Sequence, residues 1–343
     1  MKVKYIKVRR TDLERSLSEW RKDAAIYAPA PVKGGETDWR PLKDALPSVQ
    51  PGTPRSSLKA FFFPQPETLF TFSTRGEDAF LLKEPASRPN MTILFGVRPC
   101  DARSVLLNAM PYKNDPYFQE QRRRTAMVGI TCTERCRTCF CIWAGGSPVG
   151  TDGLDIALHP LDEDAFLAKI LTDRGKALAE KGALAGEAPE DGDVEKIEAR
   201  IVAASNASAS VPDPAVVLRE KDLLSLYNAP FWNETASSCI NCGTCTFLCP
   251  TCYCFDIQDE SAKGVGRRIR YWDSCMFPLF TLHASGHNPR GEKVQRVRNR
   301  FMHKLKYFPE RFGPLSCVGC GRCIRACPVN IDIREVMKSL LSS

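Results

Sequence analysis

The sequence predicts an N-terminal domain of the α/β or α+β class over residues 1–172, a helical linker over 173–212, and a mostly α-helical domain over 213–343. Three observations carry this reading. Short apolar stretches of strand length alternate with helix-start signals in the first half, the pattern of a sheet covered by helices. The stretch that follows turns rich in Ala, Glu and Lys. Beyond Pro212 lie eleven of the sixteen cysteines, gathered in tight runs. That number is too high for a routine cytosolic fold, and the clumping is unlike a small secreted disulfide scaffold.

Residues 2–8 read as a strand. Thr11 and Glu14 form a capping-box pattern ahead of a helix that places Leu13, Leu17 and Trp20 on one face. The Pro/Gly-rich stretch 28–54 reads as irregular surface loop. Residues 91–97 are an apolar strand ending at Arg98-Pro99-Cys100, and Asp101 is the expected N-cap of a helix carrying Val105, Leu106 and Met110. A second apolar strand, 126–130, ends just before Cys132, and 154–158 reads as a third. Helices are expected at 164–179 and 194–204, with an exposed turn over 182–192 between them.

Charged residues make up 26% and hydrophobic ones 43%, which describes a globular chain and excludes global disorder or a fibrous repeat. The first residues are charged and lack the apolar stretch of a secretory leader, and no apolar run reaches 18 residues. The expectation is a cytoplasmic protein with no direct membrane insertion. Clustered reduced cysteines in that setting point to metal ligation.

Two blocks carry the chemistry. Cys239-Ile-Asn-Cys242-Gly-Thr-Cys245-Thr-Phe-Leu-Cys249-Pro250 and Cys317-Val-Gly-Cys320-Gly-Arg-Cys323-Ile-Arg-Ala-Cys327-Pro328 share the spacing C-x2-C-x2-C-x3-C-P, the bacterial-ferredoxin run for [4Fe–4S] clusters. Three thiolates two residues apart wrap one loop around three irons of a cube. The fourth, beyond a longer step, points to the other cluster. One cluster is thus expected on Cys239, Cys242, Cys245 and Cys327, and the other on Cys317, Cys320, Cys323 and Cys249. Zinc also uses CxxC pairs, but in twos, without a triple followed by Cys-Pro. The 67 residues between Cys249 and Cys317, with helical patterns near Lys304 and at 331–341, favour a helical dicluster ferredoxin over the small β-hairpin type.

The first half holds Cys100, Cys132, Cys136, Cys139 and Cys141. Cys100 and Cys132 follow the carboxyl ends of predicted strands, where α/β sheets place ligands. A third iron–sulfur cluster is expected on Cys100, Cys132, Cys139 and Cys141, with Cys136 spare; reduced core thiols or zinc are the alternatives. Cys252, Cys254 and Cys275 read first as small buried hydrophobes near the first cluster, with additional ligation as the alternative.

Between residues 263 and 311, twelve Lys or Arg face three acidic residues. This excess reads either as charge offsetting thiolates and clusters or as a docking surface that includes Arg296 and Arg298. No nucleic-acid signature accompanies it, and none of the four histidines shows metal-ligand spacing. No dinucleotide fingerprint, Walker loop or GxSxG elbow occurs, so no flavin or NAD of the chain's own is expected.

The sequence resembles the iron–sulfur beta subunit of cytoplasmic sulfhydrogenases, a family that includes an iron–sulfur subunit of anaerobic sulfite reductase. The stretches that carry the resemblance are 61–70, Gly96-Val-Arg-Pro-Cys-Asp101, Thr138-Cys-Phe-Cys141, both ferredoxin blocks, Thr251-Cys-Tyr-Cys-Phe255, Trp272-Asp-Ser-Cys-Met276 and Gly286-His-Asn-Pro-Arg290. The resemblance implies an electron-transfer subunit of an anaerobic oxidoreductase complex. Its partners would be a subunit that binds flavin and NAD(P), and one of the hydrogenase, heterodisulfide reductase or sulfite reductase type. The alternatives are a catalytic subunit reducing sulfite or polysulfide at the N-terminal metal site, and an interaction protein whose clusters are only structural.

Overall fold

The computed structural model describes residues 5–42, 52–75, 82–83, 91–184, 186–210 and 212–343. Eleven strands lie among them: β1 (Tyr5–Arg9), β2 (Ala24–Pro31), β3 (Thr37–Pro41), β4 (Glu67–Ser73), β5 (Leu82–Lys83), β6 (Met91–Val97), β7 (Thr125–Ile130), β8 (Ile156–Pro160), β9 (Ala165–Ile170), β10 (Phe255–Ala262) and β11 (Val265–Trp272). Seven form one sheet in the order β1-β9-β8-β7-β6-β2-β3. Its centre, β2-β6-β7-β8, is parallel, while β1, β9 and β3 join antiparallel.

All six residues of β7 are buried, as expected of a strand covered on both faces. One face packs Val8, Leu13, Leu17, Trp20, Ile93, Val128 and Phe166 together. Trp20 pins its helix, Arg10–Trp20, to the helix Asp173–Lys181 by donating its indole N–H to Leu178 O at 2.8 Å. The other face packs Leu94, Val97, Val105, Met127 and Phe118. Because β6 and β7 run parallel side by side, their carboxyl ends bring Cys100 and Cys132 to one edge of the sheet.

Several expectations are corrected. Within 28–54, residues 43–51 lie outside the described residues, but 28–31 and 37–41 are strand. Sequence reading took the prolines as breakers; β2 pairs with β6 only over Ala24–Tyr27, so Pro29 and Pro31 forfeit no ladder bond on that side. The 164–179 stretch is β9 followed by the helix Asp173–Lys181. A short apolar run cannot be assigned to strand or helix by period alone, and the slot between β1 and β8 decided it. The 182–192 stretch is not a free turn: Leu184 is buried, and Lys7 and Glu187 exchange two backbone hydrogen bonds of 3.0 Å.

Two caps also shift. Arg98 is the N-cap of Pro99–Ala109, and Asp101 lies inside its first turn. In the first helix the side chain of Asp12, not Glu14, accepts the N–H that opens it, from Arg9 at 3.0 Å. The helix expected at 194–204 spans Asp191–Ala209 and packs Ile197 against Leu161, Ala165 and Leu167. Residues 2–4 of the first expected strand are outside the described residues.

The segment between the ferredoxin blocks opens with the hairpin β10-β11, and β11 pairs with β4, giving a second sheet β10-β11-β4-β5 drawn from both ends of the chain. Arg270 of β11 fastens it: the guanidinium is buried and paired with Glu67 of β4 and with Asp115, the N-cap of the helix Pro116–Arg124. Helices follow, Lys293–Met302 running into a π turn at His303–Tyr307 and then Phe308–Phe312. These pack Phe301, Met302 and Leu305 with Trp232 and with Met337 of the last helix, Ile333–Ser342. Among the described residues no helix is long and apolar enough to cross a membrane.

Candidate iron–sulfur centres

The two cysteine blocks fold alike. In the first, Asn241 (φ 54°) and Gly243 (φ 73°) are left-handed on either side of Cys242; in the second, Gly319 (φ 63°) and Gly321 (φ 73°) flank Cys320. Each alternation turns the backbone amides inward, the geometry of an anion-binding nest. The N–H of Asn241 reaches Cys239 Sγ and that of Gly319 reaches Cys317 Sγ, both at 3.4 Å, and Ile331 N–H reaches Cys327 Sγ at 3.2 Å. One-turn helices, Thr244–Phe247 and Arg322–Arg325, then carry Cys245 and Cys323 and pack against each other.

Electrostatics shows which sulfurs are neighbours. Cys317 and Cys323 are pushed up, first by burial, Cys317 to about 11, and both sense the Cys249 thiolate from the other block. Cys320 is raised in the same way and also senses Cys249. Cys317, Cys320 and Cys323 thus lie near Cys249, between the two blocks. Cys245 senses Cys239, Cys242 and Cys249. Cys327 is met by the Ile331 amide.

Two buried cations face these sulfurs from one helical stretch. Lys304 Nζ, in the π turn, lies 3.3 Å from Cys249 Sγ and bonds Thr251 Oγ1 and Ser316 O at 3.1 Å each. Burial alone would lower the pKa of Lys304; the Cys249 and Cys252 thiolates outweigh it and hold the ammonium well above its ordinary value. Arg300 is raised on the same balance by Cys245 and Cys323, and its Nε has no hydrogen-bond partner among the described residues. A buried guanidinium near two thiolate sets is an expensive arrangement unless it faces negative charge. The chemistry of this donor set suits anionic iron–sulfur clusters.

The N-terminal cysteines converge as well. Cys100, Cys132, Cys139 and Cys141 line one cavity with Cys136, Pro99 and Gly319. Within it Cys136 and Cys139 are joined by a disulfide, while Cys100, Cys132 and Cys141 are free. Burial raises the pKa of all three free thiols. Among the described residues no three Cys, His, Asp or Glu side chains are poised to hold a metal ion. The expected set, with Cys139 a ligand and Cys136 spare, is not what the structure shows: Cys139 is tied to Cys136, leaving three free thiols around the cavity.

This cavity sits directly on the second ferredoxin block. Phe140 N–H donates to Gly319 O at 2.8 Å, and Cys139 Sγ lies 3.9 Å from Cys320 O. A Cβ at residue 319 would stand 2.5 Å from Cys141 N and from Phe140 C, so glycine is required by contact as well as by φ. A buried ion pair locks the junction: Arg322 donates to Asp101 at 2.7 and 2.8 Å and to the carbonyls of Pro54 and Ser56 at 2.9 and 3.2 Å.

Comparison with known proteins agrees with this geometry. Residues 238–331, which span both blocks, match the 4Fe-4S dicluster domain family. Over 253 residues the chain is 32% identical to sulfhydrogenase 2 subunit beta of Pyrococcus furiosus, covering 71% of this chain and 72% of that one. The chain belongs to the sulfhydrogenase beta-subunit family. As a member of that family it is an iron–sulfur subunit of an oxidoreductase.

Within this family member, sequence reading located the cysteines and read the 263–311 cations as one way to offset them, but not which cation meets which sulfur. Lys304, Arg300 and Arg322 carry no local signal, because their partners lie tens to hundreds of residues away. The docking-surface reading of 263–311 is also corrected. Of its twelve cations, Arg270, Arg296, Arg300, Lys304 and Lys306 are buried. Arg296 donates to the carbonyls of Arg290 and Gly291 at 2.9 and 2.7 Å, and Lys306 to Leu218, Arg219 and Lys221 at 2.6–3.0 Å. Arg267 and Arg268 pair with Glu260 and Asp259 across their hairpin. Five of the twelve charges are thus internal, Arg296 among them, and two more are paired on the hairpin.

Proposed function

We propose that this chain is the electron-relay subunit of a cytoplasmic, anaerobic oxidoreductase complex. It passes electrons between a partner that binds flavin and NAD(P) and a hydrogenase-, heterodisulfide-reductase- or sulfite-reductase-type subunit. Residues 213–343 act as a largely helical dicluster unit, 1–172 as the α/β unit with the third site, and 173–212 as the linker. Cys239, Cys242, Cys245 and Cys327 hold one [4Fe–4S] cluster; Cys317, Cys320, Cys323 and Cys249 hold the other. Cys100, Cys132, Cys139 and Cys141 hold a third once the Cys136–Cys139 bond is reduced. Clusters so bound supply one-electron transfer. The chain's own residues supply ligands, amide donors, buried counter-charge and exclusion of water.

The observation that carries the reading is the contact between the 138–141 loop and Gly319-Cys320, which sets the N-terminal thiols against the second block with no element between them. The test is iron and acid-labile sulfide content with EPR on the anaerobically purified chain, comparing wild type with Cys139→Ser/Cys141→Ser. About twelve irons falling to about eight, with one EPR signal lost, is the expected result. About eight in both would remove the third centre and confine the relay to the ferredoxin blocks.

A further inference from the structure

Besides Cys136, three cysteines remain outside the proposed centres, and they share one cavity. Cys252, Cys254 and Cys275 line it with Arg300, His303 and Lys304, at the start of the hairpin that follows the first block. Cys254 and Cys275 act on each other as the largest influence on either thiol, and Cys252 and Cys249 do the same. Sulfurs therefore run from Cys249, a ligand of the second cluster in the reading above, through Cys252 to the Cys254–Cys275 pair at the cavity wall.

The backbone around that pair is held still. Asp273 N–H donates to Cys254 O at 2.9 Å, closing the ladder beyond Phe255 and Trp272. Ser274, next to Cys275, is completely buried; its hydroxyl meets Thr246 Oγ1 at 2.7 Å and accepts from Met276 N–H at 3.1 Å. Both cysteines thus stand at one end of the same ladder and line one cavity, and a disulfide between them would set the sulfurs about 2.0 Å apart. Cys254 is also poised for thiolate chemistry: Cys275 is the largest cause holding it down to about 7, and Lys304 and Lys59 contribute.

We propose that Cys254 and Cys275 form a redox-active dithiol/disulfide pair, a two-electron station beside the one-electron relay. In reduction the S–S bond breaks, two electrons arrive one at a time from the iron–sulfur relay, and two protons enter through the cavity mouth to give two thiols. Oxidation reverses each step and returns the electrons to the relay. The pair thereby converts single-electron steps into a two-electron exchange. This inference rests on the relay reading for its electron source.

The experiment uses the full chain, purified anaerobically with its iron. Samples are equilibrated with oxidised and reduced dithiothreitol at a series of ratios, quenched with N-ethylmaleimide in denaturant, digested without reduction and mapped by mass spectrometry. The expected result is a Cys254–Cys275-linked peptide that dominates at the oxidising end and vanishes at the reducing end. Cys254→Ser and Cys275→Ser each abolish the linkage while iron per chain stays at the wild-type value. No linked peptide at any ratio in wild type would overturn the proposal, whatever the variants do. A fall of about four irons in either variant would overturn it too, since the cysteine would then be a cluster ligand. Failure of the relay reading shows separately, as wild-type protein lacking cluster iron or EPR signals.

Discussion

Replacing Asp101 with Asn tests whether one buried ion pair holds the N-terminal thiols against the second ferredoxin block. Asp101 is 0% exposed and Arg322 only 1%, so neither charge has water to turn to. The substitution keeps the shape of the side chain and removes its charge. Burial would lower the Arg322 pKa; the Asp101 carboxylate outweighs it and holds the guanidinium above its ordinary value. Removing one partner of such a pair costs about 3–5 kcal/mol, because the other is left buried and uncompensated. The Pro54 and Ser56 carbonyls still accept from Arg322, which places the expected cost near the lower end, about 3 kcal/mol. With about 2.1 cal/mol/K of unfolding entropy per residue, 343 residues give roughly 1.4 °C per kcal/mol, so the melting temperature falls by about 4 °C. The assay is anaerobic thermal denaturation followed by circular dichroism, with iron content on the same samples. Arg322→Met added to Asp101→Asn then removes the orphaned charge and recovers part of the loss, a coupling of about 1–3 kcal/mol. A drop below about 2 °C, or strictly additive single and double variants, would refute the reasoning.

Two further outcomes follow from buried cationic and imidazole groups. Lys304→Met deletes the ammonium 3.3 Å from Cys249 Sγ, so a bound cluster loses a neighbour that favours its more negative reduced form. Its midpoint potential in an EPR-monitored titration should drop by about 60 mV, equivalent to about 1.4 kcal/mol for one electron; an unchanged potential in iron-replete protein would show that the charge is screened. His159 is 1% exposed, and burial, with Lys169 and Arg200, lowers its pKa to about 4. Its unfolded form takes up a proton near pH 6.5 while the folded form does not, so stability is complete above that pH and declines between about pH 6.5 and 4, by about 3 kcal/mol in all. His159→Asn should flatten that part of the stability profile, and an identical slope in the variant would assign the acid sensitivity elsewhere.

Much of the site was legible in the sequence because ferredoxin ligation is written at short range. Cys239, Cys242 and Cys245, and their counterparts in the second block, take their relative positions from two-residue spacers and left-handed residues between them. Cys100 and Cys132 were legible for a different reason: each follows an apolar strand, and parallel neighbours end at the same edge. The hairpin after Cys254 was missed because its strands, exposed on β10 and rich in alternating charge, read as surface rather than as sheet. The β9 strand was missed because Ala165–Ile170 is apolar in a way either period can absorb.

The sequence alone determined the two cysteine blocks with their shared spacing, and an α/β first half. Each of these rests on contacts within a dozen residues or on spacing itself. Only the tertiary structure decided what surrounds the sulfurs: Lys304 against Cys249, Arg322 across 221 residues to Asp101, and the 138–141 loop seated on Gly319. It also closed β4 against β11 and brought Cys254 and Cys275 to one cavity. The physical reason is common to all of them. A buried charge or thiol is stable only where the fold delivers its partner, and that delivery depends on packing between distant segments, which no local pattern encodes.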